Sequence, residues 1–195
     1  MSLQTSLIVL GSGTADSPQP ELFSAQTRAS VRYGDPAAWI TAAAALRATR
    51  GLGNLLAQSL HETGTVVVSD QGPDATMAAL QAATSTGFSS PLRFAAASPG
   101  SMVGVVCIAI GFRGPTLYLA MRPEEGIPVA LEMCAGWLAR GVARGMVVAT
   151  FKSDRPGTGS ARAVLLASSD APGIENSFTP SVAGWLIQDR NAPCP

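Results

Sequence analysis

Ser98-Pro99-Gly100-Ser101, then Met102-Val103-Gly104-Val105-Val106-Cys107-Ile108-Ala109-Ile110, then Gly111-Phe112-Arg113-Gly114-Pro115, then Thr116-Leu117-Tyr118-Leu119-Ala120: the reading of these residues decides the fold. Ser, Pro and Gly ahead of an apolar run open a helix. The run over 102–110 is far too short to cross a bilayer and reads as a buried helix. The two glycines and the proline that follow stop it. Residues 116–120 then read as a strand. Helix, tight turn and strand in that order form part of a β-α-β unit, in which the strands run parallel.

Working outward, the same alternation continues. Downstream, Gly126-Ile127-Pro128 opens a helix to residue 144 with Ala130, Met133, Cys134, Trp137 and Leu138 facing inward. Residues 146–150 and 161–167 read as strands. Upstream, Thr65-Val66-Val67-Val68 is a short β-branched run of the kind found in a central parallel strand. Pro73-Asp74 opens a helix with Met77, Leu80 and Ala83 on one face, and Leu92-Arg93-Phe94 reads as a short extended piece. Asp35-Pro36 opens a long Ala-rich helix running to His61, which Gly51 and Gly53 divide. Leu7-Ile8-Val9-Leu10 reads as a first strand ending at the turn Gly11-Ser12-Gly13, with 14–36 mostly surface loop. The expected architecture is α/β, a mostly parallel central sheet flanked by helices. Residues 1–170 form one domain and 171–195 a Pro-, Ser- and Asn-rich tail.

Composition narrows the function. The chain is 47% hydrophobic and only 13% charged, so little charge is available to cover its surface, and a partner chain is expected to cover part of it. Thirteen basic residues balance thirteen acidic ones, which removes the electrostatic case for nucleic acid or an anionic membrane. Three cysteines without C-x-x-C spacing, Cys107, Cys134 and Cys194, make neither a disulfide framework nor a zinc site. No metal and no cofactor is expected. Without a signal peptide or a long apolar span, the expected location is the cytoplasm.

The stretch 94–149 resembles the N-terminal half of a β-ketoacyl synthase. Ile108 to Pro115 is similar to that family's I-x-x-G-x-x-G-P turn. Arg140-Gly141-Val142-Ala143-Arg144-Gly145 is similar to its R-G-x-A-D passage from helix to strand. The resemblance implies one half of a thiolase-like fold. In the family, the Gly-Pro turn and strand lead to a Thr-Ala-Cys-x-x-Gly elbow whose cysteine sits at a helix N-terminus, where the dipole stabilises the thiolate. Here that elbow becomes Met121-Arg122-Pro123-Glu124-Glu125-Gly126. Gly126 takes the closing glycine's place, and Pro123 takes the nucleophile's. Proline has no nucleophilic side chain and no N–H to donate. The family's two catalytic histidines belong to its second half, and His61, the one histidine here, matches neither.

Other motifs carry less. Gly11-Ser12-Gly13 lacks the remainder of a nucleotide-binding G-x-G-x-x-G, since position 16 is Asp. His61-Glu62 reads as a dipole partner at a helix end. Ser69, Ser98 and Ser101 have no nucleophile elbow. The expected function is a non-catalytic ketosynthase-like accessory subunit of a polyketide or fatty-acid-type pathway, with a ketosynthase or a second copy as partner. The interface is expected at Met102, Thr116, Leu117 and Leu119, because in the family the corresponding strand lies near the dimer axis. Arg113, Arg122, Arg140 and Arg144 are candidates for meeting an acidic acyl carrier protein. The alternative is a repurposed dehydratase, isomerase or cyclase acting on a carrier-bound chain through His61, Glu124 or Glu125. A lone half would also leave one helix face without its cover.

Overall fold

A computed structural model describes residues 7–50, 59–85, 87, 91–169 and 181–188. Five strands form one sheet in the order β1-β5-β4-β2-β3: β1 (Leu7–Ala15), β2 (Thr63–Val68), β3 (Thr116–Leu119), β4 (Gly145–Arg155) and β5 (Thr158–Ser168). The helices are α1 (Ala25–Ser30), α2 (Pro36–Thr49), α3 (Asp74–Thr84), α4 (Pro91–Ala96), α5 (Gly100–Ile110), α6 (Pro123–Ala139) and α7 (Ser181–Ile187).

The sheet is mixed, which corrects the mostly parallel expectation. β2 runs parallel to β3 and β4, whereas β5 is antiparallel to both β4 and β1. Pro156 and Gly157 lie between β4 and β5, too few residues for the crossover a parallel pair requires, so the chain turns back as a hairpin. β2 is the expected central parallel strand, with every residue buried.

Both faces of the sheet are covered, and side chains alternate between two cores. Val67, Val147, Ala149, Phe151, Ala163 and Leu165 face α2 and α5. Val66, Val68, Met146, Val148, Val164 and Leu166 face α6 and α7. α2 begins as the sequence indicates: Asp35 caps it by accepting the Ala37 N–H at 2.8 Å, and Pro36 fills its first turn. The second Asp35 oxygen accepts the Thr76 N–H at 2.8 Å and so ties α2 to α3. α2 ends at Thr49, and Gly51 and Gly53 lie outside the described residues.

Other boundaries differ for identifiable reasons. β1 passes straight through Gly11-Ser12-Gly13, with an irregularity between Val9 and Gly11. These glycines do not turn the chain; they let α2 lie close, since a Cβ on Gly13 would stand 2.3 Å from the Ala44 carbonyl oxygen. Residues 91–96 are helical and not extended, and Met77 on α3 is exposed although it shares the expected face with buried Leu80. α6 starts at Pro123, three positions before the glycine expected to open it, and ends at Ala139. Within 171–195, α7 buries Val182, Trp185 and Leu186 in the second core, where the Arg162 guanidinium sits 4.9 Å from the Trp185 ring and donates to its carbonyl at 2.9 Å.

Candidate functional site

The decisive turn is built around two glycines. Gly111 ends α5 in the left-handed region at φ 94°, where a side chain would be strained. Gly114 packs so tightly on β2 that a Cβ would lie 2.6 Å from the Thr63 carbonyl carbon. Pro115 then hands the chain to β3, whose first bond to the sheet runs from the Thr65 N–H to the Pro115 carbonyl at 2.9 Å.

β3 is the outer strand of the sheet. It leads through Ala120 to Arg122 into α6, and Pro123 is the first helical residue. Pro123 is buried, whereas Arg122 before it and Glu124 and Glu125 after it are exposed. Gly126 presses the first turn onto β2: a Cβ there would come within 2.4 Å of a Val68 methyl. That explains the closing glycine physically. Glu124 and Glu125 are both exposed, and Glu125 is ion-paired with Arg122 at the solvent-facing helix start. A polar network that the sequence did not reveal braces the loop beneath. The buried Ser69 hydroxyl donates toward the Phe151 carbonyl at 2.9 Å and the Gln71 carbonyl at 2.8 Å. Tyr118 Oη donates to the Ser69 carbonyl at 3.0 Å, and burial pushes its phenol pKa up. Ser69 is thus a bracing group; the only signal for it in sequence was a serine ending a β-branched run.

The remaining site residues divide between the two ends of the sheet. His61 lies before β2, and Glu124 and Glu125 lie after β3, which runs parallel to β2. Roughly 20 Å of strand therefore separates the histidine from the carboxylates, at about 3.3 Å per residue. The structure does not bring them into one acid–base site. Arg113, Arg140 and Arg144 are exposed and share the end where the parallel strands begin, with Arg144 bonded to Glu62 at 2.8 Å. Arg122 stands at the opposite end, so the four arginines form no single patch. Among the expected interface residues, Thr116 is exposed and Leu117 and Leu119 are half-buried on the outer strand. Met102 is 0% exposed inside the first core and cannot meet a partner.

Cys134 is buried in the second core, and desolvation pushes its thiol up to about 12. Burial also raises the pKa of Cys107, while a side-chain hydrogen bond with Thr65 acts in the opposite sense. Cys194 lies outside the described residues. Among the described residues there is no cluster of three or more metal-ligating side chains, and no helix is long and apolar enough to cross a membrane.

The mixed five-stranded sheet, covered on both faces, with a helix starting directly after its outer parallel strand, matches the ketosynthase-like thiolase fold of solved structures. The ishigamide ketosynthase/chain length factor superposes with a TM-score of 0.65 at 14% identity, over 88% of this chain and 64% of that one. The AntDE:AntF complex, a type II acyl-carrier protein with its ketosynthase bound to the hexaketide, gives 0.64 at 14% identity, over 86% and 64%. The complex of ketosynthase ApeO with its chain length factor ApeC from Xenorhabdus doucetiae gives 0.57 at 14% identity, over 95% of this chain and 93% of the matched one. The chain thus spans about 64% of the first two matched chains and nearly all of the third. No protein-family model and no curated protein matches the sequence.

Proposed function

We propose that this protein is a non-catalytic ketosynthase-like accessory subunit of a polyketide or fatty-acid-type pathway, which pairs with a ketosynthase along β3. The observation that carries this reading is the junction from β3 into α6: an open edge strand running into a helix whose first residue is a buried proline. In the resembling family that position holds the nucleophile, and proline can neither attack a thioester nor donate an N–H. Among the described residues no strand pairs with the outer side of β3, whose backbone groups there suit a second strand. The match of nearly equal length to a chain of a ketosynthase–chain length factor complex supports the same reading. Arg113, Arg140 and Arg144 form the end that would meet an acidic carrier protein.

Sedimentation at micromolar concentration tests the pairing, with the protein alone and mixed with the ketosynthase of its pathway. The expected result is a one-to-one complex with the ketosynthase, with self-association as the fallback state when it is alone. A compact monomer in both experiments refutes the proposal.

A further inference from the structure

Besides Val129 on α6 and Val142 after it, the exposed large apolar side chains are Met77 on α3, Leu92 and Phe94 on α4 and Ile108 on α5, each more than half exposed. Around Leu92 and Ile108 this surface is concave. A slot of about 300 Å³ lies between the segment 30–34, α4 and α5, with buried Val31, Ala96 and Val105 at its base and Leu92 and Ile108 at its rim. A second cavity, also about 300 Å³, is lined by Arg32, Tyr33 and Arg93 and by the flank of α3. The two meet at Tyr33 and Gly34, which line both. Leu92 and Arg93 are successive residues, so α4 gives an apolar wall to one cavity and a cation to the other. Arg32 stacks 4.7 Å from the Tyr33 ring centre and donates to its hydroxyl at 2.6 Å, which holds the guanidinium at the junction. Among the described residues neither Arg32 nor Arg93 has a carboxylate within ion-pair distance.

We propose that this composite groove binds an amphipathic anion: an aliphatic chain ending in a carboxylate. The chain lies between Val31, Leu92, Val105 and Ile108, and the head group sits at Arg32 and Arg93. An apolar slot with a few polar groups at one end is the general form of a small-ligand site, and each volume lies at the lower end of that class. Two cations lining one cavity repel each other, and a carboxylate between them replaces that repulsion with charge-assisted hydrogen bonds. The same charges disfavour a cationic chain. Neither cavity includes Pro123 or β3, so this inference stands independently of the proposed pairing.

Gly104 provides a test: it lines the slot, and a Cβ added to it meets nothing within 4 Å, so the side chain of Gly104→Leu can start into the slot. Titration calorimetry with decanoate, butyrate and decyltrimethylammonium on the full chain is the experiment, with sedimentation run alongside. Decanoate is expected to bind and the other two are not. Gly104→Leu should abolish binding while the melting temperature holds or rises, and Arg93→Glu should weaken binding about tenfold. Undiminished decanoate binding in both variants overturns the proposal, as does no binding to the unsubstituted protein. If decanoate does not bind but Ile108→Glu splits a dimer, the groove is covered by a second copy and the proposal fails.

Discussion

Thr116→Pro separates the edge-strand reading from every reading in which β3 serves only its own domain. The Thr65 N–H bonds to the Pro115 carbonyl at 2.9 Å, and the Ser69 N–H bonds to the Leu119 carbonyl at 3.1 Å. Backbone direction alternates along a strand, so residues 115, 117 and 119 face β2, while 116, 118 and 120 point their N–H and C=O groups outward. Proline at 116 therefore removes an outward donor and leaves the pairing with β2 intact, a placement that edge strands tolerate. Residue 115 must stay extended before a proline, and it already leads into a strand. A partner strand would lose one hydrogen bond and keep an unpaired carbonyl, at about 1–3 kcal/mol, or roughly 5- to 150-fold in Kd. Equilibrium sedimentation measures that loss, thermal unfolding verifies the fold, and Thr116→Val, which keeps the N–H, serves as control. Unchanged association with an unchanged melting temperature would refute the edge-strand reading. A large fall in melting temperature would instead show that the 116 N–H serves the domain itself. Charged substitutions of Leu117 are less clean, because this side chain packs against the second core.

Three further outcomes are expected. Gly13→Ala drives a methyl to 2.3 Å from the Ala44 carbonyl oxygen and should cost about 1–3 kcal/mol, lowering the melting temperature by roughly 2–4 °C per kcal/mol. Pro123→Cys should yield no ketoacyl product from the purified protein, since no histidine stands near that position; turnover in a malonyl condensation assay would contradict this. Thiol reagents should leave Cys134 unlabelled in the folded protein. Its pKa is raised from 9.0 to about 12 by burial, so the folded state holds its proton while the unfolded thiol ionises. That contribution to stability is fully present below pH 9 and declines as pH rises toward 12, and Cys134→Ala should remove this part of the slope in alkaline denaturation.

Strands with two buried faces were the most legible elements. Thr65 to Val68 and Met146 to Thr150 are continuous apolar or β-branched runs because helices cover both sides, and a run of that kind has few alternatives. The Asp35 cap was legible for a similar reason, since it acts within two residues of itself and the structure adds its second bond to Thr76; the Ser98-Pro99 opening of α5 carries no side-chain cap. Residues 91–96 were misread because a six-residue piece carries too little periodicity to separate helix from strand. The expectation of an uncovered apolar helix face named no helix. α6 turns Glu124, Glu125 and Glu132 to solvent, and the exposed apolar residues lie mainly on α3, α4 and α5.

What the sequence by itself determined is local in origin: that 65–68 and 146–150 are strands, and that Asp35-Pro36 opens a helix. Periodicity, cap chemistry and turn residues act over a few positions, so they can be read along the chain. The tertiary structure alone decided the direction of β5, the placement of His61 and the glutamates at opposite ends of the sheet, and the joining of Arg32, Leu92, Arg93 and Ile108 around one groove. Each of these depends on which strand neighbours which and how the helices lie across them. Those relations are set by the burial of two complete faces at once, and no short stretch of residues contains that information.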